Sequence, residues 1–181
     1  SEELSKHAEQ MISQVDRFVS MAQEILDFTR GVTQLNIQEV SFIEVIDGLV
    51  QFIRLDFDKK KISLVNNNNY HGNVKIDSEK ILRVFYNIAG NAADAMPKGG
   101  TLTINSTQKE SYLLVEFSDT GIGMPVEVKD KIFEPFMTYG KKVGTGLGMA
   151  ITKKIVEDHK GKIEVDSILG KGTTIRIFLP L

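Results

Sequence analysis

The sequence predicts an α/β sandwich, a mixed sheet with helices on one face, preceded by one long α-helix. In four segments, apolar residues recur at helical steps of three and four. In several shorter segments, apolar and polar residues alternate, and two pairs of these are joined by polar or glycine-containing turns. Helices and antiparallel strand pairs in this order are typical of a sheet covered by helices on one side.

The composition excludes several functional classes. With 181 residues, 41% of them hydrophobic, the chain can bury one substantial core and carry an extra element. A net charge of −2 without a basic stripe argues against nucleic-acid binding, and the lack of cysteine excludes disulfides and cysteine-type zinc sites. No apolar run approaches the ~18 residues of a membrane span. We therefore expect no membrane contact by this fragment and a cytoplasmic location, even if a longer parent protein is membrane-bound.

The N-terminal segment is predicted to form one long helix, residues 3–30, ending at Gly31. Its apolar residues form a broad stripe: Leu4, Met11, Ile12, Val15, Phe18, Val19, Ala22, Ile25, Leu26 and Phe28. No neighbouring segment can cover a stripe of this length. We favour pairing with another helix, in the first place as a homodimer through residues 3–30, over packing on its own domain.

The remaining elements follow from the periodicity and from turn residues. Asp77 or Ser78 is expected to cap a helix that runs to about Ala95. The asparagine run at residues 66–69 is expected to be a solvated turn. The other predicted helices span residues 42–58 and 145–159. Single strands are predicted at 37–41, 61–65 and 74–76, and hairpins at 101–107 with 112–118 and at 163–167 with 173–179. Residues 124–143 are predicted to be irregular.

Asn87 and Asn91 lie four residues apart, so both amides leave the same face of the predicted helix. A neutral amide oxygen is a suitable ligand for Mg²⁺, which also takes phosphate oxygens and water. Asparagine is a poor helix former, so two of them in an apolar helix require an explanation. The alternative is that they cap or bridge buried backbone.

Asp119 follows an apolar strand and precedes Gly121 and Gly123. A carboxylate only accepts hydrogen bonds, so it can take the exocyclic amine of adenine and reject a ring that carries a carbonyl there. The two glycines let a flat ring approach the backbone. The alternative, a simple turn aspartate, is common before glycine.

The glycine-rich residues 144–148 open an apolar helix, where free N–H groups and the helix dipole favour phosphate. No strand precedes them and the third glycine of a dinucleotide fingerprint is absent, so that class is excluded, as is a P-loop. The segment is typical of a mobile lid over phosphates, with Lys141 and Lys142 neutralising charge. The alternative is that these lysines form a solvated loop face.

Taken together, these segments resemble the GHKL ATPase and kinase superfamily, with its Bergerat fold, and within it sensor histidine kinases of the nitrogen-regulation type. The likeness covers about residues 37–181. Five sequence motifs carry it: Asn-Ile-Ala-Gly-Asn at residues 87–91, Asp-Thr-Gly-Ile-Gly at 119–123, Phe-Glu-Pro-Phe at 133–136, Gly-Thr-Gly-Leu-Gly at 144–148 and Gly-Lys-Gly-Thr at 170–173.

The resemblance implies ATP and Mg²⁺ as cofactors. It implies that Asn91 holds the metal with help from Asn87, and that Asp119 binds the adenine amine. The nucleotide-binding residues that it implies are Asp119, Gly121, Gly123, Lys141, Lys142, Gly144, Thr145, Gly146, Leu147, Gly148 and Thr173. Asp94 stands where some members carry a basic residue, so Lys98, Lys141 or Lys142 is expected to supply that charge.

Position 87 distinguishes branches of the superfamily. In the hydrolysing branches the corresponding residue is a glutamate that activates water, whereas the amide of Asn87 cannot act as a general base. This difference suits phosphoryl transfer to a protein nucleophile. The segment His7-Ala8-Glu9-Gln10 lacks the usual acceptor-histidine signature, so we expect the acceptor to lie before Ser1.

The resemblance thus implies two parts: residues 1–31 as the second helix of a truncated dimerisation and phosphotransfer hairpin, and residues 32–181 as the catalytic ATP-binding domain. The expected function is transfer of the ATP γ-phosphoryl group to a histidine outside this fragment. The partners would be the histidine-bearing hairpin of the parent kinase and a response-regulator receiver domain. Two alternatives stay open: an anti-sigma-type serine protein kinase and a nucleotide-gated interaction module.

Overall fold

The computed structural model describes residues 34–140 and 144–181 and part of the segment before them. The described positions in that earlier segment are all helical and all exposed: His7, Ala8, Met11, Ile12, Val15, Phe18, Val19, Ala22, Gln23, Ile25, Leu26 and Thr29. At these positions the structure agrees with the predicted N-terminal helix. The rest of that helix, and Lys141 and Lys142, lie outside the described residues.

The elements alternate much as the periodicity predicts. In chain order they are β1 Gln38–Ser41, α1 Phe42–Lys59, β2 Ile62–Asn68, β3 Asn73–Ile76, α2 Ser78–Ala95, β4 Gly100–Lys109, β5 Tyr112–Asp119, α3 Val126–Lys129, α4 Gly148–Asp158, β6 Lys162–Ile168 and β7 Gly172–Pro180. Five strands form one sheet in the order β2-β4-β5-β7-β6, and β1 pairs with β3. Strands β2 and β4 are parallel and the other neighbours antiparallel, which makes the sheet mixed.

The core lies between the five-stranded sheet and the helices. In α2 the buried residues recur at helical steps, among them Ile81, Phe85 and Ile88. The Phe85 ring packs against that of Phe117 in β5, with centroids 5.2 Å apart. Because Phe85 is fully buried, its truncation to alanine would cost about 3–5 kcal/mol. These contacts confirm the predicted α/β sandwich.

The asparagine run was predicted as a turn, and this prediction is wrong for residues 66–68. These residues continue β2, paired with residues 104–106 of β4. The Asn67 Nδ2 donates to Asn105 Oδ1 at 3.0 Å on the neighbouring strand. The ladder satisfies the backbone and the amides of Asn67 and Asn105 pair across it, so the usual turn preference of asparagine is overridden by strand pairing.

The last helix was predicted to begin at residue 145, but α4 begins at Gly148. The Thr145 hydroxyl accepts from the N–H of Leu147 at 3.2 Å. A local bond of this kind competes with helix formation, which explains the later start. The segment predicted as irregular, residues 124–143, contains the short helix α3.

Helices α2 and α4 lie antiparallel and are joined at two places. At the start of α2, the N–H of Asp77 donates to Nε2 of His159, just after α4, at 3.0 Å. Further along, Asn87 Nδ2 donates to Thr152 Oγ1 at 2.9 Å. These bonds set the relative position of the two helices that border the cavity described below. No helix in the described part of the chain combines the length and the apolar character that crossing a membrane requires.

Candidate functional site

A cavity of about 180 Å³ lies between α2, the end of β5, the start of α4 and the segment that precedes it. It brings together most of the residues singled out from the sequence: Asn87, Asn91, Asp119, Gly123, Gly144, Thr145, Gly146, Gly148 and Thr173. Leu147 is in the hydrophobic core instead, with its side chain 1% exposed. Gly121 and Lys98 are not part of the cavity wall.

Asp119 ends β5, and its carboxylate is held by the backbone of two other segments. The N–H of Gly121 donates to Oδ1 at 2.8 Å, and the N–H of Thr173 donates to the same oxygen at 3.2 Å. Among the described residues, no hydrogen bond uses Oδ2. One oxygen therefore orients the carboxylate and the other remains available to a ligand.

Burial raises the pKa of Asp119 above its usual value, and the N–H bonds from Gly121 and Thr173 offset this only in part. A partly desolvated carboxylate with one unused oxygen is a strong acceptor for a ligand N–H. This chemistry fits the amino group of a purine.

The local backbone conformation and packing require a glycine at position 123. Its φ is +62°, and a Cβ there would lie 2.0 Å from the carbonyl oxygen of Ile168. The glycine thus permits close packing of the loop after β5 against the β6–β7 turn. The sequence predicts that a flat ring approaches the backbone at Gly123. In the structure this glycine has a packing role whether or not a ring binds.

Asn87 and Asn91 both line the cavity from α2, as their spacing predicts. Gly148, the first residue of α4, lies directly against the first of them: a Cβ on Gly148 would be 2.5 Å from Asn87 Oδ1. The N-terminus of α4 has no side-chain cap. Two amide side chains and an uncapped helix N-terminus therefore border one space, which suits a cation together with phosphate.

The described residues contain no cluster of three or more histidine, aspartate or glutamate side chains around a common point. A cation in this cavity would accordingly draw most of its ligands from phosphate oxygens and water, as Mg²⁺ commonly does in nucleotide sites. The amides of Asn87 and Asn91 fit this chemistry because they offer neutral oxygen ligands.

Sequence reasoning missed two groups of residues. One is the apolar part of the wall, including Ile88, Ile122, Met137 and Ile175. The other is Thr152 of α4, whose hydroxyl binds Asn87. Helical periodicity signals Ile88, and strand alternation Ile175, only as core, and a threonine within an apolar helix carries no signal of its own.

Residues 76–181 match the family model described as "Histidine kinase-, DNA gyrase B-, and HSP90-like ATPase". The chain belongs to this family. The resemblance to the GHKL superfamily inferred from the sequence motifs is therefore confirmed, and ATP is the nucleotide of the family.

Relatives and solved structures agree with this assignment. The sensor histidine kinase ZraS of Escherichia coli strain K12 is 30% identical over 175 residues, which cover 96% of this chain and 37% of ZraS. The catalytic domain of histidine kinase ThkA superposes with a TM-score of 0.73 at 30% identity, covering 80% of this chain and 95% of that domain. ThkA in complex with the response regulator TrrA gives a TM-score of 0.80 at 26% identity, covering 98% of this chain and 51% of ThkA.

Proposed function

We propose that this chain is the ATP-binding catalytic part of a two-component sensor histidine kinase. Residues 32–181 form the catalytic domain and residues 1–31 one helix of the dimerisation hairpin. The observation that carries the proposal is Asp119, a desolvated carboxylate with one oxygen held by two N–H groups and the other left for a purine amine. The family and its histidine kinase members support it.

In this proposal different residues around the cavity bind different parts of the nucleotide. Asp119 accepts from the adenine amine, with the backbone of Gly121 and Thr173 fixing the carboxylate. Asn91, assisted by Asn87, holds Mg²⁺. The remaining proposed contacts, for the base and the phosphates, are made by Gly123, Lys141, Lys142, Gly144, Thr145, Gly146, Leu147 and Gly148. When bound, ATP and Mg²⁺ supply the transferable phosphoryl group and the neutralising charge, so the protein contributes mainly position and electrostatics.

The acidic residues of the cavity wall support transfer to a protein over hydrolysis. Among the described wall residues, only Asp94 and Asp119 are acidic. Asp119 is tied to the backbone beside the proposed base, and position 87 carries an amide that takes no proton. Water therefore lacks a general base placed where the hydrolysing branches of the superfamily have one.

The proposed acceptor is a histidine on the hairpin of the parent kinase, and the proposed onward acceptor is a response-regulator receiver domain. ThkA, a structural neighbour, has been crystallised with its response regulator. The proposed homodimer through residues 3–30 is supported by the exposed apolar side chains there, such as Met11 and Phe18, both 67% exposed. Because ATP is an intracellular substrate, we place this domain in the cytoplasm.

A transfer experiment tests the proposal. The chain is mixed with a histidine-bearing hairpin from its parent kinase, ATP labelled in the γ-phosphoryl group and Mg²⁺. We expect an acid-labile, base-stable label on the hairpin, and no label with Asp119→Asn. An acid-stable label on a serine of a partner would favour the anti-sigma-type kinase instead. ATP binding without transfer to any partner would favour a nucleotide-gated interaction module.

A further inference from the structure

Thr152 lies within α4 and is 1% exposed, yet it carries a hydroxyl. Its Oγ1 accepts a hydrogen bond from Nδ2 of Asn87 on α2 at 2.9 Å. A valine would fill nearly the same volume without the cost of burying a polar group. Packing alone therefore does not explain the hydroxyl, whereas its bond to a residue of the cavity wall does.

A second contact decides which way the Asn87 amide faces. Nδ2 also lies 3.6 Å from Sδ of Met149, one turn before Thr152. A thioether sulfur can only accept, so the amide group beside it must be the NH₂. The reversed amide would set its oxygen against the sulfur and lose this donor. Thr152 and Met149 together therefore select one of the two amide orientations.

In the selected orientation the carbonyl oxygen of Asn87 is the amide atom nearer to Gly148, which lines the cavity. A Cβ on Gly148 would lie 2.5 Å from Oδ1 and 3.0 Å from Nδ2. Within the part of the chain that the structure describes, no hydrogen bond ends on Oδ1. The oxygen is thus an unused acceptor beside the first turn of α4, where we have proposed that phosphate binds.

We propose that Thr152 is a positioning residue that locks the Asn87 amide with its oxygen toward the cation. This inference rests on the proposed function, because it assigns the fixed oxygen to the Mg²⁺ of bound Mg·ATP. The reason for a lock is chemical. A hard cation binds the amide oxygen and is repelled by the NH₂ group. An amide free to turn about its last bond would present the wrong face part of the time. Thr152 itself touches neither nucleotide nor metal.

The first test needs no ligand. Hydrogen exchange of the Asn87 side-chain amide is followed by NMR in the parent protein, Thr152→Val and Thr152→Ser. We expect slow exchange in the parent and in Thr152→Ser, which keeps the hydroxyl. In Thr152→Val we expect exchange at least about tenfold faster, since the principal acceptor is lost. Equal exchange in the parent and in Thr152→Val would overturn the proposed lock.

The second test measures ATP affinity by calorimetry with and without Mg²⁺. Thr152→Val should weaken Mg·ATP binding about 2- to 10-fold, the range of one lost hydrogen bond, and leave Mg²⁺-free ATP binding unchanged. Thr152→Ser should restore the parent affinity. Equal weakening with and without Mg²⁺ would assign Thr152 to packing and overturn the proposal.

The two failures can be told apart. If ATP affinity of the parent protein does not depend on Mg²⁺, the proposed metal site is wrong, and the role of Thr152 toward a metal falls with it. If the parent depends on Mg²⁺ and Thr152→Val depends on it equally, only the positioning role is wrong. If Thr152→Val does not fold, exchange of the Asn87 side-chain amide in the parent and in Thr152→Ser tests the proposed lock. Rapid exchange in these two proteins would overturn it.

Discussion

Two aspartates at opposite ends of the α2–α4 pair each accept two backbone N–H bonds, yet they differ in what remains unused. Asp77 receives one bond on each oxygen, from Lys80 at 3.1 Å and from Asn36 at 3.0 Å. Asp119 receives both of its bonds on Oδ1, from Gly121 and Thr173. Both carboxylate oxygens of Asp77 thus accept hydrogen bonds within the fold, whereas one oxygen of Asp119 remains available to a ligand in the cavity.

The electrostatics follow this difference. Burial is the largest influence on the pKa of Asp77 and acts to raise it. The N–H bonds from Asn36 and Lys80 and the charge of Lys80 together outweigh burial and lower the pKa. For Asp119 burial prevails and the pKa is raised. The hydrogen bonds to Asp77 stabilise its ionised form, so this carboxylate contributes to the stability of the fold. Asp119 has too few hydrogen bonds to offset its burial, which is typical of a carboxylate that binds a ligand.

The surroundings of Asp77 are equally complete. His159, 7% exposed, accepts the N–H of Asp77 on Nε2 and contacts the carbonyl oxygen of Ile155 through Nδ1 at 2.7 Å. Since Nε2 accepts, Nδ1 is the ring nitrogen that donates to the Ile155 carbonyl. Asn36, which binds the Asp77 carboxylate, belongs to the segment that leads from the N-terminal helix into β1. This end of the helix pair thus ties three segments together.

The largest expected effect is on the ligand side. Asp119→Asn keeps an oxygen for the N–H groups of Gly121 and Thr173 but turns an NH₂ toward the adenine amine. We expect ATP affinity to fall about 100-fold, from the loss of a charge-assisted bond together with donor–donor repulsion. Calorimetric titration measures it.

The fold of Asp119→Asn should persist, as judged by its melting temperature. Asp166→Asn is the matched control, because Asp166 lies on β6 and pairs with Arg176. Parent-like ATP affinity in Asp119→Asn would refute the assignment of the base to this carboxylate.

The second effect is on the fold side. Asp77→Ala removes the N-cap of α2 and leaves the N–H of Asn36 without its acceptor. The expected loss is about 2–3 kcal/mol in the free energy of unfolding, with ATP affinity little changed. Urea unfolding gives the first quantity and calorimetry the second. Asp47→Ala, an exposed position of α1, should change neither. A large loss of ATP affinity in folded Asp77→Ala would mean that the two ends are coupled.

A smaller effect is expected for His159→Leu. The N–H of Asp77 would be buried without an acceptor, which costs about 1–2 kcal/mol. Unfolding in urea measures the loss. In the double variant with Asp77→Ala the losses should be less than additive, because both changes disrupt the same hydrogen-bonded group. Fully additive losses would contradict the shared network.

The contacts of Asp77 also differ in whether they could be predicted from the sequence. Asp77 or Ser78 was expected as the cap of α2, because capping is a local pattern, and Asp77 is the cap. Its bond to His159 spans 82 residues and has no local signal. His159 is likewise buried and accepts this N–H bond although no local pattern around it predicts either property.

The candidate site likewise contains features that local motifs predict and features that depend on tertiary contacts. Asn87, Asn91, Asp119 and the glycines stand in compact motifs, so their convergence could be predicted. The orientation of the Asn87 amide depends on Thr152, a tertiary contact across two helices that no spacing encodes. The asparagines of β2 show the opposite error, where a strong local preference was overridden by pairing with β4.

The smallest expected effects are in the pH dependence of stability, where the two aspartates have opposite signs. The pKa of Asp77 is lowered by folding, so its contribution is present above the unfolded value of 3.8 and is lost as pH falls through the lower folded value. The pKa of Asp119 is raised, so its ionised form costs stability at neutral pH, and this cost disappears as pH falls through the raised value toward 3.8.

Urea unfolding of the parent, Asp77→Asn and Asp119→Asn between neutral and acid pH separates these contributions. Asp77→Asn should be less stable than the parent at neutral pH, with a deficit that shrinks in acid below the unfolded value. Asp119→Asn should be as stable as the parent or more so at neutral pH, and its advantage should vanish in acid. If both variants were destabilised at neutral pH and converged with the parent in acid, Asp119 would be part of the fold in the same sense as Asp77. The contrast between a used and an unused carboxylate would then be lost.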